Sequence, residues 1–174
     1  MHQEKTNVMR LLDQRKVSYT PHFYACPDGA VDGRSVAALI GLPPERVFKT
    51  LVTRGASKQN YVFVIPVTGE LDLKAAARAA GEKSIEMIRQ AELLPLTGYV
   101  HGGCSPLGMK KQLKTFLDES ARDLETMVVS AGKIGAQVEL APGDLAAHAR
   151  ARFAPAAQYR PQHATRYTRR KLKM

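Results

Sequence analysis

A chain of 174 residues, 44% of them apolar, suits one globular domain, and nothing in it reads as a second core. No run approaches the roughly 20 apolar residues that cross a bilayer, the start MHQEKTNVMR lacks the apolar stretch of a secretory leader, and Cys26 and Cys104 stand apart without disulfide-framework or zinc spacing. The net charge of +10 gathers toward the C-terminus, where Arg160, Arg166, Arg169, Arg170, Lys171 and Lys173 occur with no acid among them.

In chain order, Thr6 is placed to cap a helix on which Val8, Leu11 and Leu12 share a face, and Val17 to Tyr24 reads as extended chain broken by Pro21. Pro27-Asp28-Gly29 and Asp32-Gly33 mark a loop, after which Ser35 opens a short helix that stops at Gly41. Val47 to Thr53 and Tyr61 to Val67 are β-rich runs parted by a polar segment, the pattern of neighbouring paired strands. Asp72 and Gly81 bracket LKAAARAA as the cap and the stop of a helix. Ser84 to Ile88 is expected as a strand, Ala91 to Leu94 as a helical turn, and Tyr99 to His101 as a strand entering the loop Gly102 to Pro106. Strands are expected at Lys114 to Leu117, Glu125 to Ser130 and Ile134 to Leu140, then a helix from Pro142 toward Arg152.

Helices interrupt these strands irregularly, so the expected fold class is α+β, a mixed sheet with helices packed around it and not a doubly wound sheet. Core-forming residues thin out after Pro155, which sets the expected boundaries at 1–154 for the folded domain and 155–174 for a basic, disordered tail. That tail either holds RNA phosphates through counterion release or is simply solvated. The expectation is a cytoplasmic protein with two free thiols and no bound metal.

In VFKTLVTR, alternation puts Val47, Lys49, Leu51 and Thr53 on one face and Phe48, Thr50 and Val52 on the other, so Lys49 interrupts an apolar row. A lysine there either snorkels to water from an edge strand or is held in a cleft to meet an anion or a carbonyl, and the pattern leaves both open. In the run from His101 to Pro106, Gly102 and Gly103 permit close approach of backbone to a ligand. A Cys104 nucleophile with His101 as base is the rival reading, but residues three apart in a glycine-rich turn have no evident shared geometry. Lys110, Lys111 and Lys114 form a basic cluster fit for phosphates or for water. Ser130-Ala131-Gly132-Lys133 reads as a tight connection between strands, either a plain hairpin turn or a set of backbone donors facing a cleft. His22 and His148 show no convergent partner, and GxxxxGK[ST], GxGxxG and HExxH motifs do not occur, which argues against nucleoside-triphosphate, dinucleotide and zinc-protease chemistry.

KTNVMRLLD at 5–13, VFKTLVTRG at 47–55, ELDLKAAARAAGEKS at 70–84, ELLPLTGYVHGGCSPLGMKKQ at 92–112 and DESARDLETMVVSAGKIG at 118–135 occur in the order and spacing of the YbaK/EbsC family. The chain resembles that family over residues 5–154. The resemblance implies a compact, mostly antiparallel mixed sheet curling toward a barrel, and kinship with the editing domain of bacterial prolyl-tRNA synthetases. It implies an aminoacyl-tRNA deacylase that removes cysteine from Cys-tRNA(Pro) and Cys-tRNA(Cys) without a cofactor, with prolyl-tRNA synthetase as a transient partner. The family's catalytic lysine matches Lys49, and its substrate-binding positions match Tyr24, Thr50, Gly102, Gly103, Ser105, Pro106, Ser130, Gly132 and Lys133. Ala131 stands where the family usually has glycine, and Cys104 falls where it requires no thiol. The implied chemistry is attack of the substrate's own thiol on its ester, releasing a thiolactone. The alternatives are deacylation of Ala-tRNA(Pro) by water and a non-catalytic module that binds RNA or a synthetase.

Overall fold

The computed structural model describes residues 4–159; the basic run from Arg160 onward, with the reading of it as an RNA-holding arm, lies outside the described residues. Side-chain caps start the helices where the sequence offers them. The Thr6 hydroxyl accepts the Met9 N–H at 3.2 Å and opens α1 (Asn7–Gln14), which buries Val8, Met9 and Leu12. After β1 (Thr20–Phe23), Asp32 caps α2 (Gly33–Ile40), which ends at Gly41 in the left-handed region. A 3-10 turn at Pro44–Arg46 leads into β2 (Phe48–Gly55), β3 (Asn60–Pro66) and the short β4 (Glu70–Leu71). Asp72 then accepts the N–H groups of Lys74 and Ala75 to open α3 (Leu73–Ala80), which Gly81 closes. The chain continues through β5 (Ile85–Met87), α4 (Gln90–Thr97), β6 (Lys114–Asp118), β7 (Met127–Lys133), β8 (Ala136–Leu140), α5 (Pro142–Ala149), β9 (Ala151–Ala154) and β10 (Ala157–Gln158).

The strands form a five-stranded sheet in the order β5-β2-β3-β6-β9, a three-stranded sheet β1-β8-β7 and a β10-β4 pair. The three-stranded sheet is antiparallel, whereas β6 pairs parallel with both β3 and β9. Phe48, Val52, Val62 and Val64 on one face of the larger sheet meet Val129, Ala131 and Val138 of the smaller one, with α1 closing the same core. The opposite face of the larger sheet buries Phe63, Ile65 and Phe116 against the alanines of α3, and Phe63 stacks on Phe116 at 5.2 Å. A small third cluster joins Val36 and Ala37 of α2 to Val47 and Val128. Among the described residues, the two larger sheets touch edge to edge through one parallel bridge, Val47 to Val128.

The expected strand at Tyr99–His101 is absent, because the Thr97 hydroxyl accepts the Tyr99 N–H and turns the chain inward, where the Tyr99 hydroxyl donates to the Leu107 carbonyl at 2.6 Å. Ser130 to Lys133 is not itself the connection between strands. It forms the end of β7, with a register shift between Ser130 and Lys133, and the turn falls after it. The helix from Pro142 stops at Ala149, short of Arg152, since Arg150 adopts a left-handed conformation at φ 52° and redirects the chain into β9.

Packed structure also continues past residue 154. Ala156 is fully buried, β10 pairs with β4, and the buried Asp118 carboxylate accepts the N–H groups of Ala156 and Ala157 at 2.9 and 2.8 Å. Replacing Asp118 with Ala strands two amides at this depth and is expected to cost about 2–3 kcal/mol in urea unfolding; an unchanged midpoint would contradict the tie.

Candidate active site

The register of the three-stranded sheet sets Thr20, Glu139 and Val128 in one row across the strands and His22, Gln137 and Ser130 in the next. Directly opposed residues share a face, and Tyr24 extends the alternation of His22, so Tyr24, Gln137 and Ser130 belong to one wall. Gln137 is buried and donates from Nε2 to the Tyr24 hydroxyl at 3.1 Å. The Ser130 hydroxyl accepts the Gly132 N–H at 3.1 Å, which braces the bulge that ends β7. Gly132 has φ 91°, a conformation that favours glycine, whereas Ala131 is not at positive φ and buries its methyl in the main core. The substitution at 131 is therefore accommodated on the side away from the wall.

Lys49 lies across the seam, two residues beyond the bridging Val47 and on the same face of β2. It is half-buried and, among the described residues, makes no hydrogen bond or ion pair. Burial pushes its pKa below the ordinary lysine value of 10.5; the charge of Glu70 acts upward and that of Arg34 downward. Thr50 points to the opposite face, and its hydroxyl oxygen is buried with no hydrogen-bond partner among the described residues. Leaving such a group unpaired costs about 1–3 kcal/mol.

The glycine loop is seated by contact. A Cβ at Gly102 would lie 2.5 Å from the Ala30 Cβ, and one at Gly103 would lie 3.1 Å from the Ile134 amide nitrogen. Both glycines thus let the loop close on the segment after Tyr24 and on the turn after β7. The Gly103 N–H donates to the Val100 carbonyl at 3.0 Å and is spent on that turn. Among the described residues the Gly102 amide has no such bond and is the glycine donor left for a ligand. Ser105 and Pro106 are buried, and the Ser105 hydroxyl accepts the Leu107 N–H at 3.3 Å, so they shape the loop from beneath.

Cys104 is buried, and burial pushes its thiol up to about 12 against a weaker downward effect of Thr97. A thiol held protonated in this way is a poor nucleophile, while His101 stands exposed, so the pair is not a catalytic dyad. Lys133, Lys110, Lys111 and Lys114 are exposed, and only Lys110 of the basic cluster lines the cleft of about 310 Å³ that opens between α1, the end of α4 and Gly132.

A further group escaped the sequence reading. The Glu139 carboxylate meets His22 Nε2 at 2.8 Å, the Arg46 guanidinium at 2.7 Å and the Thr126 hydroxyl at 2.5 Å. Arg46 also bonds the Thr126 hydroxyl and its carbonyl. Burial alone would raise the Glu139 pKa, but the bonds from Thr126 and His22 and the charge of Arg46 outweigh it and hold it below the ordinary 4.5. The stabilisation is therefore complete above that value and is lost as pH falls through the depressed one. The alternation in AQVEL placed Gln137 and Glu139 on one face, which was the available signal.

Residues 29–147 match the aminoacyl-tRNA editing domain. The chain belongs to that family. It is 48% identical over 140 residues to EbsC of Enterococcus faecalis, provisionally named a Cys-tRNA(Pro)/Cys-tRNA(Cys) deacylase, and the match covers 80% of this chain and 85% of EbsC. A proline–tRNA ligase of Thermotoga maritima is 31% identical over 96 residues, which are 54% of this chain and 16% of the ligase. A solved structure, described as a provisionally assigned trans-editing enzyme for prolyl-tRNA synthetase, superposes with a TM-score of 0.75 at 22% identity, covering 89% of this chain and 99% of its own. That likeness concerns the fold, and it agrees with the expected α+β editing-domain architecture.

The role of Gly102 in seating the loop has a direct test. Gly102→Ala is expected to lower stability by about 1–3 kcal/mol in thermal unfolding. Gly29→Ala has a similar positive φ but meets open space, and its loss should be smaller.

Proposed function

We propose that this chain is a trans-editing aminoacyl-tRNA deacylase that removes cysteine from Cys-tRNA(Pro) and Cys-tRNA(Cys). The observation that carries the reading is the 48% identity, over most of both chains, to a relative provisionally named for that activity. The geometry is consistent with it, since the wall of Tyr24, Gln137 and Ser130 faces a seam beyond which lies a half-buried lysine, and the protein's own thiol in the loop is inert.

The chemistry then resides in the substrate. The cysteinyl sulfur attacks its own carbonyl carbon, a carbon–sulfur bond forms, the ester carbon–oxygen bond breaks, and the thiol proton passes to the departing ribose oxygen. The product is a four-membered thiolactone that water opens to free cysteine. Holding the sulfur near its carbonyl is worth a great deal, because well-oriented intramolecular reactions reach effective molarities of about 10⁵ M or more. Lys49 meets the ester oxygen as an ammonium, and the Gly102 N–H supplies a second donor. Alanine and proline lack a side-chain nucleophile and are spared, which a pocket discriminating by volume at ~1–3 kcal/mol per methylene could not achieve. Similarity to part of a proline–tRNA ligase supports a transient complex with that synthetase, which would direct the activity to mischarged tRNA.

Lys49→Ala is expected to reduce single-turnover deacylation of Cys-tRNA(Pro) by about 10²-fold with unchanged circular dichroism. Cys104→Ala should stay within about 3-fold of the parent chain, as befits a buried thiol outside the chemistry. Equal or faster release of alanine from Ala-tRNA(Pro), or undiminished cleavage of an S-methylcysteinyl ester, would overturn the thiol mechanism. Once uncatalysed hydrolysis is subtracted, kcat/KM should fall as pH rises through the Lys49 pKa, at a midpoint below 10.5 because burial disfavours the ammonium.

A further inference from the structure

The walls of the candidate site come from two sheets that share an apolar core on their other face but almost no backbone pairing at the seam. Lys49 stands on β2 of the five-stranded sheet, while Tyr24 follows β1, and Gln137 and Ser130 stand on β8 and β7 of the three-stranded sheet. Among the described residues, the ladder between them is the single bridge Val47 to Val128. A reaction that requires atoms placed within a fraction of an ångström needs a firmer link than that.

Glu139 supplies it. Its side chain is 15% exposed and reaches three separate segments at once: His22 on β1, Arg46 immediately before the bridging Val47, and Thr126 immediately before β7. Each contact lies close in sequence to a wall residue. His22 is two residues from Tyr24, Arg46 three from Lys49, Thr126 four from Ser130, and Glu139 itself two from Gln137. Along β1 and β8 these are same-face neighbours, so a shift of His22 or Glu139 is passed along the row to Tyr24 and Gln137. Arg46 also donates from Nε to the Thr126 carbonyl at 3.3 Å, which binds the entrance of β2 to that of β7 independently of the carboxylate.

The geometry points to Glu139 as a positioning residue for the deacylation. Its carboxylate, through His22, Arg46 and Thr126, sets the distance across the seam between Lys49 and the Tyr24–Gln137–Ser130 wall. It touches no substrate. This assignment rests on the proposed deacylase function, and it adds to that function the means by which the site is held in register.

The test compares Glu139→Gln and Thr126→Val with the parent chain on Cys-tRNA(Pro), at a temperature where circular dichroism shows all three folded. Thr126→Val removes two bonds, from its hydroxyl to Glu139 and from Arg46 to that hydroxyl, and keeps the Glu139–Arg46 charge pair, so it serves where Glu139→Gln fails to fold. The expected result is a fall in kcat of about 10-fold or more for Glu139→Gln and a smaller fall for Thr126→Val, with KM within about 2-fold for both. Combining Glu139→Gln with Tyr24→Phe should cost less than the product of the single effects, because both act on one wall. A lowered melting temperature with kcat unchanged would overturn the assignment and leave Glu139 a purely structural group. An inactive parent chain would instead overturn the deacylase reading. In that case NMR titration of the isotopically labelled Lys49 amine still decides the positioning role. A midpoint that moves in Glu139→Gln supports it, and an unmoved one refutes it.

Discussion

A half-buried carboxylate that cannot be left alone governs the middle of this molecule. Removing an ionised glutamate from water costs several kcal/mol, and the cost is met only when strong partners surround it. Glu139 has three, and they come from parts of the chain far apart in sequence. The price of burying the charge is thus converted into geometric definition. Slippage of β1, of the entrance to β2 or of the entrance to β7 would leave charge or hydroxyl unpaired. Apolar packing is less demanding, since Val47 and Val128 would still meet after a small rotation of one sheet against the other.

Around that tie, the two sheets divide their duties. The main core, with Phe48, Val52, Val129 and Val138, lies on one side of the seam and fixes the sheets face to face. On the other side lie the rows containing Tyr24, Ser130 and Gln137, with Lys49 on the same side of β2. The loop with Gly102 and Gly103 closes against this region by virtue of missing side chains. Polar groups concentrate where the sheets part, and under the proposed reading that is where an ester would find donors already aimed.

Much of this was legible in the sequence. Thr6, Asp72, Gly41 and Gly81 marked helix ends correctly because caps act over three or four residues and need no tertiary context, whereas Ser35, read as the opening of α2, lies inside a helix that starts at Gly33 under the cap of Asp32. Alternation in VFKTLVTR separated Lys49 from Thr50 for the same reason. The segments that eluded the sequence depend on distant partners. Tyr99 turns inward to reach Leu107, β10 exists because β4 and Asp118 receive it, and the bulge at Ser130 to Lys133 is defined by pairing with β8. Of the site, Lys49, Tyr24 and the glycine loop were reachable through family resemblance, whereas the Glu139 group was not, because four polar residues spread from 22 to 139 carry no motif. The two glycines of the loop, moreover, divide their roles, with one amide spent on a turn, which no spacing rule could announce.

Cys104 follows directly on the loop glycines, yet it is sealed in the core and kept protonated. Peroxide and similar oxidants attack exposed thiolates, so this sulfur is a poor target for them. On the proposed reaction, each substrate molecule would bring the reactive sulfur and take it away, and the thiol at 104 would have no part to play.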